Sequence, residues 1–280
     1  FVSGFPIDFA FNRIHASANT WYTGSRLTGQ KMMYLDTGAA EGAGAAWLFG
    51  AQDYNNGYAH THYGNTEQAW MFKRHAGLDV VTYTGNGETT RPINHSMNKI
   101  PEMMWVKRRS GSNRSWAVYH KGLDGANNPE THFLLLDLSS AEGDEDLTWS
   151  DTAPTSTHFT VGASATVNGN NDTYLAILFS SVDKISKCGY YTGNGETGQT
   201  ITTGFQPRFI FFKRLNDSES WKVFDSLRTT STPFSKQLYL DVNDTPDTVT
   251  PFFTVSSTGF TLNSTNVNAS NDKYIYYAHA

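Results

Sequence analysis

The octapeptide TYTGNGET at residues 82–89 returns almost unchanged as YYTGNGET at residues 190–197. Two further matches follow in the same order. Trp105-Val-Lys-Arg108 pairs with Phe211-Phe-Lys-Arg214, and Trp116-Ala-Val-Tyr119 pairs with Trp221-Lys-Val-Phe224. Ordered matches of this kind indicate that one folded module is built more than once along the chain.

A weaker third copy opens the chain. Residues 4–13 resemble residues 204–214 with one residue missing, and Trp21 falls where a counterpart of Trp221 is expected. This copy lacks the TGNG motif, so its repeat is degenerate or truncated. The matches predict three units, at residues 1–76, 77–182 and 183–280.

Short runs rich in Val, Ile, Phe, Tyr, Trp and Thr alternate with clusters of Gly, Asn, Asp and Ser, and no stretch keeps an apolar stripe at helical spacing. The pattern predicts an all-β fold of tandem antiparallel β-sandwich repeats, of a jelly-roll or concanavalin-like kind. In the second unit the expected strands are 79–84, 90–95, 102–109, 115–120, 132–138, 157–163 and 173–180.

The Asn-Gly pairs at Asn86 and Asn194 lie between the first two expected strands of their units. Asn-Gly accepts the positive φ angles of a type I′ turn, so we predict a β-hairpin there. A phosphate-binding loop would need a wider glycine spacing and a following helix, and neither is visible in the sequence.

Apolar residues occupy both faces of the strand around Met103–Arg108 and of its counterpart, which predicts that a neighbouring unit or subunit covers the second face. We assign Trp21, Trp116 and Trp221 to the core, because large aromatic residues repeated in register usually pack there. The Lys-Arg pairs that end these strands, which begin at Lys107 and Lys213, are interpreted as solvated edge charges.

Composition excludes several classes of function. The 280 residues carry 21 Lys and Arg against 26 Asp and Glu, a net charge of -5, so no basic surplus is present to bind nucleic acid. Cys188 is the one cysteine and cannot form an internal disulfide. No apolar run reaches the length of about 18 to 20 residues that a membrane helix needs. We therefore expect neither nucleic acid nor a membrane as a partner.

Two clusters deserve comparison with metal sites. The acidic run Glu142, Asp144, Glu145 and Asp146 has the ligand type for calcium, or for the carboxylate pair of a glycoside hydrolase, but charge runs of this kind are usually solvated loops. The pair His60 and His62 would begin a zinc or copper site on a strand, although the sequence offers no evident third ligand. We predict no metal, no cofactor and no catalytic residue.

The stretch from Gln52 to Asn65 has no counterpart in the other units. It mixes aromatic rings with amide and imidazole groups, a composition that suits sugar binding or an adaptable protein interface, although a plain surface loop is the simplest interpretation. The candidate residues for a glycan or partner site are Tyr54, Asn55, Tyr58, His60, His62 and Tyr63.

The third unit carries a longer series of motifs. YTGNG is followed by GFQPRFIFFKR at residues 204–214, then by WKVFD at 221–225, GFTL at 259–262 and YIYY at 274–277. This order resembles a repeat of tailed-bacteriophage virion proteins and spans nearly the whole chain. The resemblance implies a lectin-like sandwich and a structural, tail or fibre protein without an assigned activity, and it brings no catalytic residue to transfer.

These observations lead to the expectation of a non-enzymatic structural protein in a tail, fibre or head-surface position of a bacteriophage particle. Its expected location is the virion, assembled in the cytoplasm of the bacterial host. The expected partners are further copies of the chain, in a homo-oligomer, and other virion proteins. The alternative is a lectin-like adhesin that binds a carbohydrate or host receptor, with a host-surface glycan as partner, and less favoured is a glycan hydrolase.

Overall fold

A computed structural model describes residues 1–43, 56–57, 67–74, 77–228 and 234–280. Strands dominate these residues, and all pairing between the strands is antiparallel. One four-residue α-helix and a few short 3-10 turns are the described helical elements. The predicted all-β class of antiparallel sandwiches is confirmed.

Residues of the first unit form a five-stranded sheet. Its strands are β1 (Phe9–Ile14), β2 (Tyr22–Ser25), β3 (Lys31–Tyr34), β4 (Gly42–Ala43) and β5 (Glu67–Phe72). Their order across the sheet is β4-β3-β2-β1-β5.

Residues of the second unit form a six-stranded and a two-stranded sheet. The elements are β6 (Leu78–Thr84), β7 (Arg91–Asn94), β8 (Met103–Arg108), β9 (Ala117–His120), β10 (His132–Leu135), β11 (Gly143–Asp144), α1 (Asp146–Trp149), β12 (His158–Val161) and β13 (Thr173–Phe179). The larger sheet has the order β11-β10-β9-β8-β13-β6, and β12 pairs with β7. Each strand predicted for this unit is present within a few residues of its expected bounds, and β11 is additional.

Residues of the third unit repeat this layout. The strands are β14 (Ser186–Thr192), β15 (Gln199–Thr202), β16 (Phe209–Arg214), β17 (Lys222–Asp225), β18 (Lys236–Tyr239), β19 (Asp247–Thr248), β20 (Phe253–Ser256), β21 (Gly259–Leu262) and β22 (Lys273–His279). The larger sheet has the order β14-β22-β16-β17-β18-β19, and the smaller has the order β15-β21-β20.

The TGNG segments do not form hairpins, and that prediction was wrong. β6 and β7 lie in different sheets, so the segment crosses from one layer to the other. Gly87 has a φ of 73°, whereas Asn86 is not in the left-handed region. The conformation depends on Asn168, whose side-chain oxygen accepts the Asn86 N–H at 3.0 Å and whose amide donates to Glu88 O at 3.0 Å. Asn268 makes the same contacts in the third unit.

The inner faces of the three larger sheets share one core. Phe11 of β1, Trp105 of β8 and Phe211 of β16 all belong to a single buried cluster, with ring centroids of Trp105 and Phe211 5.7 Å apart. Sheet faces that are apolar on both sides are expected when both sides are covered. The sequence predicted that a neighbouring unit or subunit covers the second face of β8 and β16. Neighbouring units of the same chain cover that face.

The outer faces are covered by the smaller sheets. In the second unit β7, β12 and α1 enclose a separate cluster that contains Met104, Trp149 and Phe159. In the third unit the sheet β15-β21-β20 packs on Phe212, whose ring lies 5.6 Å from that of Phe260. The second and third units are therefore two-layered sandwiches, each with its own outer core.

The three equivalent tryptophans join the units in a cycle. Each is fully buried, as predicted, and each donates its indole N–H to a backbone carbonyl of a different unit. The bonds are Trp21 to Tyr239 O at 2.6 Å, Trp116 to Tyr34 O at 2.7 Å, and Trp221 to Leu135 O at 3.0 Å. The first unit thus contacts the third, the second contacts the first, and the third contacts the second.

The lysines that end β8 and β16 are buried, so their interpretation as solvated edge charges was wrong. Lys107 Nζ donates to Arg114 O at 2.6 Å and lies 3.4 Å from Thr37 O of the first unit. Lys213 Nζ donates to Ser139 O of the second unit at 3.1 Å. Both lie on the inner face of their strand, where backbone carbonyls, in each case including one from the neighbouring unit, replace water. Burial lowers the pKa of each lysine to about 8.

Candidate functional site

The sequence-predicted binding residues Tyr54, Asn55, Tyr58, His60, His62 and Tyr63 lie outside the residues that the structure describes. Their role in binding a glycan or partner stays a prediction. The described residues direct attention instead to the lines along which the units meet. We call these the first–second, second–third and third–first seams.

A cleft of about 420 Å³ lies at the second–third seam. It runs beside the edge strands β14 and β15 and includes Lys121 of the second unit. Its polar wall consists of Lys187 and Tyr190 on β14 and of Thr200 and Thr202 on β15. Because side chains alternate along a strand, both threonines point to the same side of β15.

Tyr190 is the most unusual residue of this cleft. Its neighbour Tyr191 is buried in the outer core, whereas Tyr190 is 48% exposed. The base of its side chain packs against Gly122, where an added Cβ would lie 2.5 Å from Tyr190 Cβ. The glycine therefore makes room for the tyrosine and leaves much of the ring open to solvent.

Lys121 is held in place by an ion pair within its own unit. Its Nζ lies 2.7 Å from an oxygen of Glu102, and the other Glu102 oxygen accepts the Ser181 N–H at 2.7 Å. Burial acts to raise the pKa of Glu102, but the hydrogen bonds from Lys121 and Ser181 outweigh it and lower that pKa. Lys187 also lines the cleft, and within the part of the chain that the structure describes it forms no ion pair.

The equivalent cleft at the first–second seam has different chemistry. Asp79 stands in the position of Lys187, and Thr82 stands in that of Tyr190. The Asp79 carboxylate accepts bonds from Arg74 Nε at 2.8 Å and from the Ser96 N–H at 2.7 Å. Although burial opposes it, the bonds from Ser96 lower the pKa of Asp79. This carboxylate is committed to holding the seam.

The two clefts therefore offer different possibilities. The lining of the second–third cleft includes a half-exposed tyrosine, two threonines and a lysine, which are residue types that can stack on an apolar sugar face or bond to its hydroxyls. The thiol of Cys188, which also borders the second–third cleft, is buried, and burial raises its pKa well above the usual value. A thiol of this kind is a poor nucleophile.

The acidic run of the second unit is divided among separate structural tasks. Glu142 accepts the Asp124 N–H at 2.9 Å, and Glu145 accepts the Thr148 hydroxyl at 2.5 Å. Glu145 also borders a cleft of about 300 Å³ beside Phe133 and Arg114. Across the described ranges, no group of three or more His, Cys, Asp or Glu side chains is arranged to hold a metal ion.

Sequence reasoning missed the second–third cleft. Tyr190 belongs to the repeated motif, but TYTGNGET and YYTGNGET differ at this one position. That difference was the available signal, because a residue that serves only the shared scaffold is expected to recur.

The fold and these clefts define a β-sandwich protein of three joined units with polar clefts along its seams. The chain belongs to a family whose function is not assigned, since the family described as Domain of unknown function (DUF7483) matches residues 24–280. No curated protein and no solved structure matches the chain. Among the described helices, none has the length and apolarity required to cross a membrane.

Proposed function

We propose that this chain is a non-enzymatic structural protein of a bacteriophage particle. The observation that carries the proposal is the closed cycle of contacts made by Trp21, Trp116 and Trp221. The inner face of every larger sheet is buried in the core that joins the units. A fold built in this way is a rigid building block. The motif series of the third unit supplies the link to virion proteins.

Buried polar contacts at the seams support the same proposal. Lys107, Lys213 and Arg13 each cross a seam and donate to backbone carbonyls of another unit. Polar groups buried in this way fix the relative placement of the units, because displacement would leave a charge without partners. Fixed placement suits a component that must keep its shape within an assembly.

The proposal includes a homo-oligomer and contacts with other virion proteins. Many copies in one particle would allow weak individual contacts to act together. Sedimentation of the purified chain at high concentration tests this part: we expect a defined oligomer, and a monomer at all concentrations would count against it.

Intact particles provide the direct test. Antibodies raised against the purified chain should label particles of the phage that encodes it, and mass spectrometry of particles purified by density gradient should detect the chain in constant proportion to the other virion proteins. Abundance in the lysate together with absence from purified particles would contradict the proposal.

The cleft around Tyr190 favours a second candidate, a lectin-like function that binds a host-surface glycan. A glycan array probed with the wild-type chain and with Tyr190→Thr tests it. Threonine is the residue at the equivalent position of the second unit, so the variant should fold. Binding that requires Tyr190 would support the second candidate, whereas a blank array or equal binding by both proteins would exclude this cleft.

A further inference from the structure

The three seams are built on the same backbone pattern, which permits a position-by-position comparison. The amide N–H groups of Arg114, Glu219 and Asn19 each donate at 2.8 Å across a seam. Their acceptors are the carbonyls of Gly38, Ser139 and Asn243, in that order. Three residues beyond each acceptor stand Glu41, Glu142 and Pro246, which are therefore equivalent.

At the first–second seam the equivalent residue supplies a carboxylate. The Glu41 N–H donates to Arg109 O at 3.0 Å, which confirms that these two residues face each other. Arg109 Nε and Nη2 bind the two Glu41 oxygens at 3.0 and 3.1 Å. A planar guanidinium and a carboxylate bonded at two points form one of the stronger polar contacts in proteins.

At the second–third seam the same backbone bond recurs without the ion pair. The Glu142 N–H donates to Leu215 O at 2.8 Å, so Leu215 replaces Arg109. Leu215 is fully buried, and the Glu142 carboxylate turns away to accept the Asp124 N–H. With no cation at this position, no carboxylate is needed opposite it.

At the third–first seam a basic residue is present in the position of Arg109 and the carboxylate is missing. Pro246 carries neither the N–H nor the carboxylate of Glu41, and His15 stands in the position of Arg109. A cavity of about 290 Å³ opens here, bordered by the described residues His15, Ala16, Arg228, Lys236, Thr245 and Pro246. Three of these six side chains are basic, and none is acidic.

Arg228 places a buried charge at the wall of this cavity. Its side chain is only 2% exposed, it pairs with Asp225, and its Nη2 donates to Val223 O at 3.1 Å. Within the described ranges, Nη1 of Arg228 has no hydrogen-bond acceptor. A buried donor left without an acceptor is unfavourable, so this wall offers an unused donor to an anionic ligand.

Charges of both signs lie around the cavity, with Asp225, Asp36 and Asp244 on the negative side and Arg228, Arg13 and Lys236 on the positive side. Lys236 donates to the Thr248 hydroxyl, which carries no charge. Arg13 lies behind the wall and donates to Asp244 O at 2.8 Å. Burial lowers the pKa of Arg13 to about 10, and although Asp36 and Asp244 oppose this effect, the charge of Arg228 adds to it.

We propose that the third–first cavity binds the carboxylate of a small acidic ligand, which takes the place that the Glu41 side chain fills at the first–second seam. The cavity has room for more than a bare ion, and His15, Lys236 and Thr245 provide donors for the carboxylate and for a neighbouring hydroxyl. Arg228 acts through its charge. The inference does not depend on a role in a phage particle.

Calorimetric titration of the full chain tests the ligand class. The probes are D-galacturonate and N-acetylglutamate as carboxylates from a sugar and from an amino acid, D-galactose as the neutral match of the first, and inorganic phosphate. We expect at least one carboxylate to bind about ten-fold or more tightly than galactose, a difference of about 1.4 kcal/mol. Tighter binding of phosphate, or no binding of either carboxylate, would overturn the assignment.

Pro246→Glu is the sharpest variant, because it installs the residue that the other two units carry at this position. The new carboxylate should fill the cavity and weaken binding of the probe at least about ten-fold. Thr250→Glu adds the same charge at an exposed position outside the cavity and should leave binding unchanged. Equal binding by the two variants would contradict the proposal.

A second pair of variants keeps the test decisive if Pro246→Glu does not fold. Lys236→Gln removes a donor from the cavity, and Lys73→Gln removes one charge from an exposed position elsewhere. The first should weaken binding of the probe several-fold and the second should not. Unchanged affinity in Lys236→Gln would overturn the assignment of the site.

Discussion

The second and third units have the same framework and different clefts. Trp116 and Trp221 occupy equivalent positions, as do Lys107 and Lys213, and each pair makes the same kind of contact across a seam. The edge strands differ instead, with Asp79 and Thr82 in one unit and Lys187 and Tyr190 in the other. The comparison teaches that recurring residues hold the fold, while chemistry that varies lies at the edges where units meet.

The strongest test of the shared framework removes the tryptophans. Trp116→Ala and Trp221→Ala should each lower the free energy of unfolding by about 3 to 5 kcal/mol, because each leaves a cavity in the common core. The loss of the indole N–H also leaves Tyr34 O or Leu135 O without its donor. Urea unfolding followed by circular dichroism measures both variants.

Similar losses in the two units would support their equivalence. A loss below about 1 kcal/mol in either variant would break the comparison, because the seam that depends on that tryptophan would then not contribute to the common core.

The asparagines beneath the TGNG segments provide the next test. Asn168→Ala and Asn268→Ala should each cost about 2 kcal/mol, since the first removes four side-chain hydrogen bonds, the second removes three, and the backbone groups of each TGNG segment lose their partners. Asn266→Ala, at an exposed position of the same region, should change the unfolding free energy by less than about 0.5 kcal/mol. An effect as small as that of the control would show that the TGNG segment keeps its conformation without the asparagine side chain.

A difference between the units appears where β9 and β17 end. His120 Nδ1 accepts the Gly122 N–H at 3.0 Å, and Asp225 accepts the equivalent N–H of Leu227 at 2.9 Å. Burial lowers the pKa of His120 to about 3. Between about pH 6.5 and pH 3 the unfolded chain therefore binds one more proton than the folded chain, so stability falls as the pH falls through that range.

His120→Ser should remove this acid sensitivity. Ser25 fills the same position in the first unit, where its hydroxyl accepts the Leu27 N–H. At pH 5 the wild-type chain should have lost about 2 kcal/mol relative to pH 8 through His120 alone, and the variant should be spared that loss. Thermal unfolding of both proteins from pH 8 to pH 5 measures the difference, and parallel curves would contradict the assignment.

The smallest effect on stability is expected from exchange of the cleft residues. Tyr190→Thr and Thr82→Tyr each transfer a residue between equivalent positions, and both should change the free energy of unfolding by less than about 1 kcal/mol. Denaturant titration provides the measurement. A larger loss would mean that Tyr190 belongs to the framework and not to a variable cleft.

The sequence was sufficient for the strands and for the buried tryptophans, because alternation and repetition are local signals. It was not sufficient to predict which residues of one unit contact which residues of another. The carbonyls that accept from Trp21, Trp116 and Trp221 lie 218, 82 and 86 residues away, and no local pattern carries that information. The same reason applies to Lys107 and Lys213, each of which also donates to a carbonyl of another unit.

The hairpin prediction for the TGNG segments was wrong, and the clefts were not predicted, for related reasons. Asn-Gly favours a hairpin locally, but Asn168 arrives from 82 residues away and binds the segment in another conformation. The clefts at the seams each combine residues from two units, so only the difference between Thr82 and Tyr190 pointed to one of them in advance.

The bond between Trp21 and Tyr239 has a consequence for synthesis on the ribosome. Translation proceeds from the N-terminus at about 5 to 20 residues per second, so the acceptor of this indole N–H emerges many seconds after its donor. The first unit is synthesised first, but its core residue Trp21 is fully buried only after residues near Tyr239 have been synthesised. We expect nascent chains that stop short of Tyr239 to expose apolar surface and to recruit chaperones.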